Sequence, residues 1–224
     1  MEPAPLRFEA SERAGEVSAL LLRPPRARLL LVLAHGAGAG MRHAFLESVA
    51  ERLAARRIAS FRHQFPYTEQ GRRAPNPPAV LIATVRAAVD AAAKAAPDLP
   101  LLAGGKSMGG RMTSLAASAA ALPGVRGLVF LGFPLHAAGR PSRERGAHLA
   151  DVGLPMLFLQ GTRDKLADLD LLRPLCADLG PRATLHVVDG GDHSFHVPKR
   201  SGRSDADALD ELADRIESWT ATLV

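Results

Sequence analysis

The amino-acid sequence predicts a doubly wound α/β fold, in which helices cover both faces of a mostly parallel sheet. Short apolar runs alternate with longer helical stretches over most of the 224 residues, a pattern that is typical of repeated strand–helix units. Several runs are apolar at nearly every position, as parallel strands buried on both faces are. Because no internal repeat or low-complexity linker divides the chain, residues 1–224 are expected to form a single domain.

The predicted strands and helices alternate in order along the chain. Parallel strands are predicted at residues 29–34, 58–61, 101–103, 128–131, 156–159 and 184–188. One or two antiparallel edge strands are expected before them, at residues 17–22 and 7–9. Helices are predicted over residues 44–56, 80–96, 108–121, 167–179 and 205–223. The last helix has Ser204 as a candidate N-cap and apolar residues at helical spacing.

Composition and charge narrow the class of protein. Cys176 is the single cysteine, so no intramolecular disulfide can form, and the longest apolar run is far shorter than the roughly 20 residues of a membrane helix. The N-terminus shows no basic region leading into an apolar run. The net charge is +5, but the arginines are interspersed with acids, and only one tyrosine and one tryptophan could stack on bases. We therefore expect a cytoplasmic protein with no specific nucleic-acid or membrane partner.

The motif with the clearest chemical meaning is GKSMG at positions 105–109, between a predicted strand and a predicted helix. A G-x-S-x-G sequence in that place predicts a sharp turn that exposes the hydroxyl of Ser107. The glycines are required because bulk on either side of such a turn would clash. A phosphate-binding P-loop is excluded, since it needs a glycine five positions before Gly105, where the chain has Pro100.

A serine nucleophile needs a base that a third group orients, and both are found in the order serine, acid, histidine. Asp164 follows the predicted strand at 156–159, and His193 follows the last predicted strand. The alternatives are that Asp164 only caps the next helix, with Asp168, Asp189 or Asp192 as the acid, and that His196 replaces His193. The sequence favours Ser107, His193 and Asp164 as nucleophile, base and acid.

Acyl transfer also needs backbone N–H groups that bind an oxyanion. The amide of Met108, directly after the nucleophile, is the first candidate donor. The second is expected from the glycine-rich loop after the strand at 29–34, at Ala37 or within one residue of it. His35 in this loop and His136, after the strand at 128–131, are candidate substrate contacts. Each could instead hold its own loop by hydrogen bonds.

At these residues the chain resembles the α/β-hydrolase superfamily. More narrowly, it is similar to short hydrolases allied to dienelactone hydrolases and testis-expressed protein 30. The resemblance rests on HGAGA at 35–39, GKSMGGR at 105–111, GFPLH at 132–136 and QGTRD at 160–164. It implies an α/β-hydrolase fold, a Ser107–His193–Asp164 triad, no cofactor and no metal. A dienelactone hydrolase proper would carry cysteine as nucleophile, whereas position 107 is serine.

The sequence thus predicts a serine hydrolase that acts on a small ester, thioester or related acyl substrate. About two dozen residues separate the strand ending near 132 from the strand beginning near 156, which leaves room for a minimal lid only. A catalytically silent interaction module, a serine peptidase and a perhydrolase remain as alternatives on the same residues. The natural substrate and the oligomeric state are left open.

Overall fold

An eight-stranded sheet forms the centre of the computed structural model, which describes residues 1–223. The strands are β1 (Ala4–Ser11), β2 (Gly15–Leu22), β3 (Leu29–Ala34), β4 (Ile58–His63), β5 (Leu101–Lys106), β6 (Val125–Leu131), β7 (Met156–Gly161) and β8 (Ala183–Val188). Their order across the sheet is β1-β2-β4-β3-β5-β6-β7-β8. Strands β3 to β8 run parallel, and only the β1–β2 and β2–β4 pairs are antiparallel. The predicted mostly parallel sheet with an antiparallel edge is confirmed.

Helices cover both faces of this sheet, as predicted. They are α1 (Ala44–Ala55), α2 (Pro66–Glu69), α3 (Pro78–Ala95), α4 (Met108–Ala119), α5 (Leu169–Asp178) and α6 (Asp205–Thr220). Successive residues of β3 point to opposite faces, so Leu31 and Leu33 pack with α1 and α6, whereas Leu30 and Val32 pack in the core under α3, α4 and α5. The continuous apolar runs in the sequence follow from this two-sided burial.

Several helix boundaries have local causes. Helix α6 begins with a capping box, in which the Ser204 hydroxyl accepts from the Asp207 N–H and the Asp207 carboxylate accepts from the Ser204 N–H. The predicted cap at Ser204 is therefore confirmed. Helix α5 begins later than predicted, at Leu169, because the Asp168 carboxylate caps it by accepting from the Asp170 N–H. The single turn α2 was not predicted; it is too short to show a helical period.

The segment between β6 and β7 holds one 3₁₀ helix, Glu144–Asp151, and no further helix or strand among the described residues. This agrees with the expected minimal lid.

None of the helices in the described part of the chain has the length and apolar character needed to cross a membrane.

The strand order fixes where a ligand can bind. From β3 the chain continues first to β4 on one side, and the strands from β5 onward lie on the other side. The carboxyl ends of β3 and β5 thus meet where the winding direction changes, which is where open α/β sheets bind ligands. The loop after β3 and the turn after β5 both lie at this point.

Candidate active site

Ser107 occupies a sharp turn between β5 and α4. It has φ 51° and ψ −116°, a backbone conformation that L-residues rarely adopt. Such a conformation costs on the order of 1–3 kcal/mol, which the surrounding structure must offset. Ser107 is also the N-cap residue of α4, yet its side chain makes no capping hydrogen bond. The hydroxyl is instead hydrogen-bonded to His193 Nε2.

The two glycines of the motif are explained by one carbonyl group. A Cβ on Gly105 would lie 2.2 Å from the Ala34 carbonyl oxygen, and a Cβ on Gly109 would lie 2.3 Å from the same atom. Both distances are far inside van der Waals contact. The turn therefore packs directly against the end of β3, and only glycine fits at positions 105 and 109.

The structure brings the three residues predicted as nucleophile, base and acid into one hydrogen-bonded chain. His193 Nε2 lies 2.8 Å from Ser107 Oγ, and His193 Nδ1 lies 2.7 Å from Asp164 Oδ2. A carboxylate only accepts hydrogen bonds, so Nδ1 carries the imidazole proton and Nε2 accepts from the Ser107 hydroxyl. The Asp164 side chain is fully buried, whereas the His193 side chain is 26% exposed.

Asp164 is held by further donors. Its Oδ1 accepts from the Leu166 N–H at 2.8 Å, and its Oδ2 also accepts from the Gln160 side-chain amide. Gln160 is completely buried at the end of β7 and accepts the Phe133 N–H through Oε1 at 2.9 Å. Sequence reasoning assigned no role to Gln160. The available signal was an amide side chain in an otherwise apolar strand, four residues before the acid.

A cavity of about 410 Å³ opens beside these residues. It is lined by Gly36, Ala37, Ala39, His43, Phe45, Leu46, Lys106, Ser107, Leu166, His193 and Ser194. Because the lining combines Ser107 and His193 with apolar side chains, a small acyl group could bind beside the Ser107 hydroxyl.

Met108 and Ala37 carry the two backbone N–H groups predicted to bind the oxyanion, and Ala37 lines the cavity. Met108 is the first residue of α4, so its N–H has no acceptor within the helix. The Ala39 N–H donates to the Gly36 carbonyl at 3.2 Å and closes a turn in which Gly38 has φ 72°. The Ala37 N–H makes no hydrogen bond in this turn, and Ala37 lines the cavity.

His35 and His136 are not among the residues that line the cavity, and the expectation that they contact substrate is corrected by their hydrogen bonds. His35 is buried, accepts from the Phe65 N–H through Nε2 and donates from Nδ1 to the Gly36 carbonyl. Its burial lowers its pKa to about 4, so it is neutral at pH 7. His136 Nε2 accepts from the Asp168 N–H, and Nδ1 donates to the Ala137 carbonyl. Both imidazoles are occupied with holding loops.

The rival acid and base have other partners. Asp192 Oδ1 accepts from the N–H groups of Ser194 and His196 and so shapes the loop that carries His193. His196 Nδ1 lies 2.8 Å from Asp205 Oδ2 on the surface, and this hydrogen bond raises the pKa of His196. Within residues 1–223, no group of three or more histidine, cysteine, aspartate and glutamate side chains is arranged to hold a metal ion.

Solved structures with the same fold span almost the whole chain. A dienelactone hydrolase from Anabaena variabilis has a TM-score of 0.76 and 19% sequence identity, and each chain covers 100% of the other. An alpha-beta serine hydrolase homologue from Coxiella burnetii has a TM-score of 0.76 and 17% identity, covering 96% of this chain and 97% of its own. A serine hydrolase without a lid from Xanthomonas campestris has a TM-score of 0.74 and 21% identity, covering 98% and 95%. At these identities, the similarity shows the fold.

The sequence itself shows which family the chain belongs to. The sequence model of the alpha/beta hydrolase domain family matches residues 27–221. These residues contain β3 to β8 and every residue of the hydrogen-bonded chain described above. The match omits only the antiparallel β1–β2 hairpin and the last residues. The chain therefore belongs to the α/β-hydrolase family.

Proposed function

We propose that this protein is a serine hydrolase of the carboxylesterase or thioesterase type, which cleaves small acyl substrates through an acyl-enzyme on Ser107. The observation that carries the proposal is the continuous hydrogen-bonded chain from Ser107 through His193 to Asp164. A serine hydroxyl is a weak nucleophile, and a base within hydrogen-bond distance that a buried carboxylate orients is the arrangement that activates it.

Each residue has one role in the proposed reaction. His193 Nε2 takes the proton as Ser107 Oγ attacks the substrate carbonyl carbon, and His193 then gives that proton to the leaving group. A water molecule, deprotonated by the same nitrogen, attacks the acyl-enzyme and releases the acid and free Ser107. Asp164 fixes the imidazole tautomer. Gln160 and the Leu166 N–H in turn fix the Asp164 carboxylate.

The oxyanion is proposed to bind the N–H groups of Met108 and Ala37. Because the Ser107 side chain bonds to His193 rather than capping α4, the N-terminal N–H groups of α4 remain available to a developing negative charge. The strained conformation of Ser107 places its hydroxyl beside them. The same feature thus exposes the nucleophile and keeps the helix terminus uncapped.

The proposed substrate is small. The segment between β6 and β7 provides only one 3₁₀ helix and so no cap domain that could bury a long acyl chain, and the cavity beside Ser107 has a volume of about 410 Å³. Each methylene left in water forfeits roughly 0.8 kcal/mol of binding free energy. We expect kcat/KM on p-nitrophenyl esters to be highest at about two to six acyl carbons, a range set by that unburied area.

Steady-state hydrolysis of acetyl, butyryl, hexanoyl, decanoyl and palmitoyl esters measures this prediction. A kcat/KM that keeps rising to the palmitoyl ester would contradict the small-substrate proposal. The absence of hydrolysis with every ester and with the matching thioesters would contradict the proposed activity itself.

A further inference from the structure

Lys106, between Gly105 and the nucleophile, is a charged residue that the proposed reaction does not use. Its side chain lines the cavity, and its Nζ is shielded from solvent with no hydrogen-bond partner among the described residues. Lysine is seldom buried unless it is paired. An ammonium group left without an acceptor loses hydration free energy that a hydrogen bond would otherwise restore.

The surroundings of Nζ are aromatic rather than acidic. Nζ lies 5.8 Å from the centroid of the Phe45 ring and 5.9 Å from that of Phe195, and these two rings stack on each other. Both distances are within the range in which a ring face attracts a cation. Phe195 has φ 63°, which lies in the left-handed region of backbone conformation. The two rings keep the cation in place but provide no hydrogen-bond acceptor.

Lys106 also lies next to the base. Nζ is 3.2 Å, and His193 Cε1 is 3.5 Å, from the point that a Cβ on Gly132 would occupy. The missing side chain at position 132 therefore leaves room for the ammonium group, for the imidazole and for the His193 carbonyl oxygen, which lies 3.4 Å from the same point. An anion bound at Nζ would be close to the reacting atoms.

The acids near Lys106 are already used. Asp164 and Asp192 both act on the ammonium electrostatically, but Asp164 Oδ2 bonds to His193, and Asp192 Oδ1 bonds to the backbone of the His193 loop. None of the described residues that line the cavity is an aspartate or a glutamate. The cavity thus has many apolar lining residues and, beside it, one cation without a hydrogen-bond partner among the described residues, which would complement a substrate that carries a negative charge.

We propose that Lys106 selects substrates that bear an anionic group, such as a carboxylate, close to the acyl bond that is cleaved. This inference rests on the proposed hydrolase function and names its substrate class. The lysine stem is flexible and Nζ carries three donors, so this role requires its terminal bonds to turn the shielded ammonium towards a carboxylate in the cavity. Such a charge-assisted hydrogen bond satisfies the donor that the protein leaves unpaired.

The test compares esters that differ only in charge. On the acyl side, mono-p-nitrophenyl fumarate is compared with the p-nitrophenyl ester of (E)-4-methylpent-2-enoic acid, which is neutral and similar in shape. The trans double bond prevents the fumarate carboxylate from attacking its own ester. On the leaving-group side, 3-acetoxybenzoate is compared with 3-acetoxybenzamide. The readout is the ratio of kcat/KM for the charged ester to that for its neutral partner.

We expect this ratio to be about ten or more in at least one pair, since a hydrogen bond to a charged group contributes about 1.5–3 kcal/mol. Lys106→Met, which has a similar shape without the charge, should bring the ratio close to one. Lys106→Arg is the matched control that keeps the charge and should retain a preference for the anion. A ratio cancels any general loss of activity caused by the substitution.

The native protein provides a second test that needs no variant. Burial lowers the pKa of Lys106 from 10.5 to about 8. The ammonium is therefore present below this pH and is lost above it, and kcat/KM reports this titration in the free enzyme. The charged-to-neutral ratio should fall as the pH rises from 7 to 9.5, and it should stay level in Lys106→Arg.

Each negative result of the ester comparison leads to a different conclusion. Hydrolysis of the neutral esters with a ratio at or below one in both pairs would overturn the role of Lys106 and leave the hydrolase proposal standing. A high ratio that Lys106→Met preserves would also overturn it, because the preference would come from other residues. Absence of hydrolysis of both members of both pairs would overturn both proposals.

Discussion

Substitution of Ser107 by alanine is expected to lower kcat on a short acyl ester by on the order of 10⁶-fold, because nucleophile, base and acid act as a unit. The alanine variant keeps the proposed oxyanion donors and the cavity, so a small rate above that of water should remain. The fold should not change, since the Ser107 hydroxyl makes no capping bond to α4. Steady-state kinetics, with circular dichroism to check folding, measure the effect.

Ser118→Ala is the matched control for this variant. Ser118 also lies on the α4 chain segment, and its hydroxyl donates to the Leu115 carbonyl rather than to any residue of the site. Its substitution should leave kcat essentially unchanged, because its hydroxyl bonds to no residue of the site and a surface substitution usually changes the free energy of unfolding by less than about 0.5 kcal/mol. A Ser107→Ala variant that retained more than a tenth of the native rate would show that another group performs the attack.

Substitution of His193 by alanine is expected to have an effect of similar size, also on the order of 10⁶-fold in kcat. Without the imidazole, Ser107 Oγ has no base within hydrogen-bond distance, and Asp164 has no group to orient. His196→Ala is the matched control, because His196 lies three residues away in the same loop and bonds to Asp205 on the surface. It should keep most of the activity.

Kinetics of both histidine variants on the same ester distinguish the two assignments. Loss of turnover in His196→Ala, with turnover kept in His193→Ala, would mean that the loop rearranges and that His196 is the base. Loss in both variants calls for a check of folding by thermal denaturation. An unfolded His196→Ala would report on its contact with Asp205 and not on catalysis.

The fold could be predicted from the sequence because burial on both faces of the sheet leaves a direct signal. The runs at 29–34 and 156–159 are almost entirely apolar, and each lies between helices that pack on opposite sides. Strand ends were less predictable. β5 extends through Gly104 and Gly105 to Lys106, residues that seldom favour strands, because parallel neighbours on both sides impose the extended conformation.

The arrangement of the site was predictable in part. Ser107, Asp164 and His193 each follow a strand of the parallel sheet, so the fold itself brings them to the same edge. The supporting contacts were not predictable, because they depend on side-chain directions and on residues distant in sequence. Gln160 bonds to both Asp164 and Phe133. His35 and His136, the two candidate substrate contacts, instead hold loops by hydrogen bonds to the backbone.

The surroundings of Lys106 were also not predictable from the sequence. Its neighbours in sequence place it in the sharp turn between β5 and α4. The sequence contains no sign that the rings of Phe45 and Phe195 lie beside its ammonium group. Those two residues are 150 positions apart in number and meet only because α1 and the His193 loop both border the carboxyl edge of the sheet. Pairings of this kind appear only in three dimensions.

The most direct test of the proposed activity is the site of covalent labelling by a fluorophosphonate, which reacts with a serine that a neighbouring base activates. Folded protein is incubated with the probe, and the adduct is mapped by peptide mass spectrometry, with heat-denatured protein as the control. We predict one adduct, on Ser107, that is absent from denatured protein and from Ser107→Ala. An adduct on another residue such as Ser194, or no adduct on the folded protein, would contradict the assignment of Ser107 as an activated nucleophile.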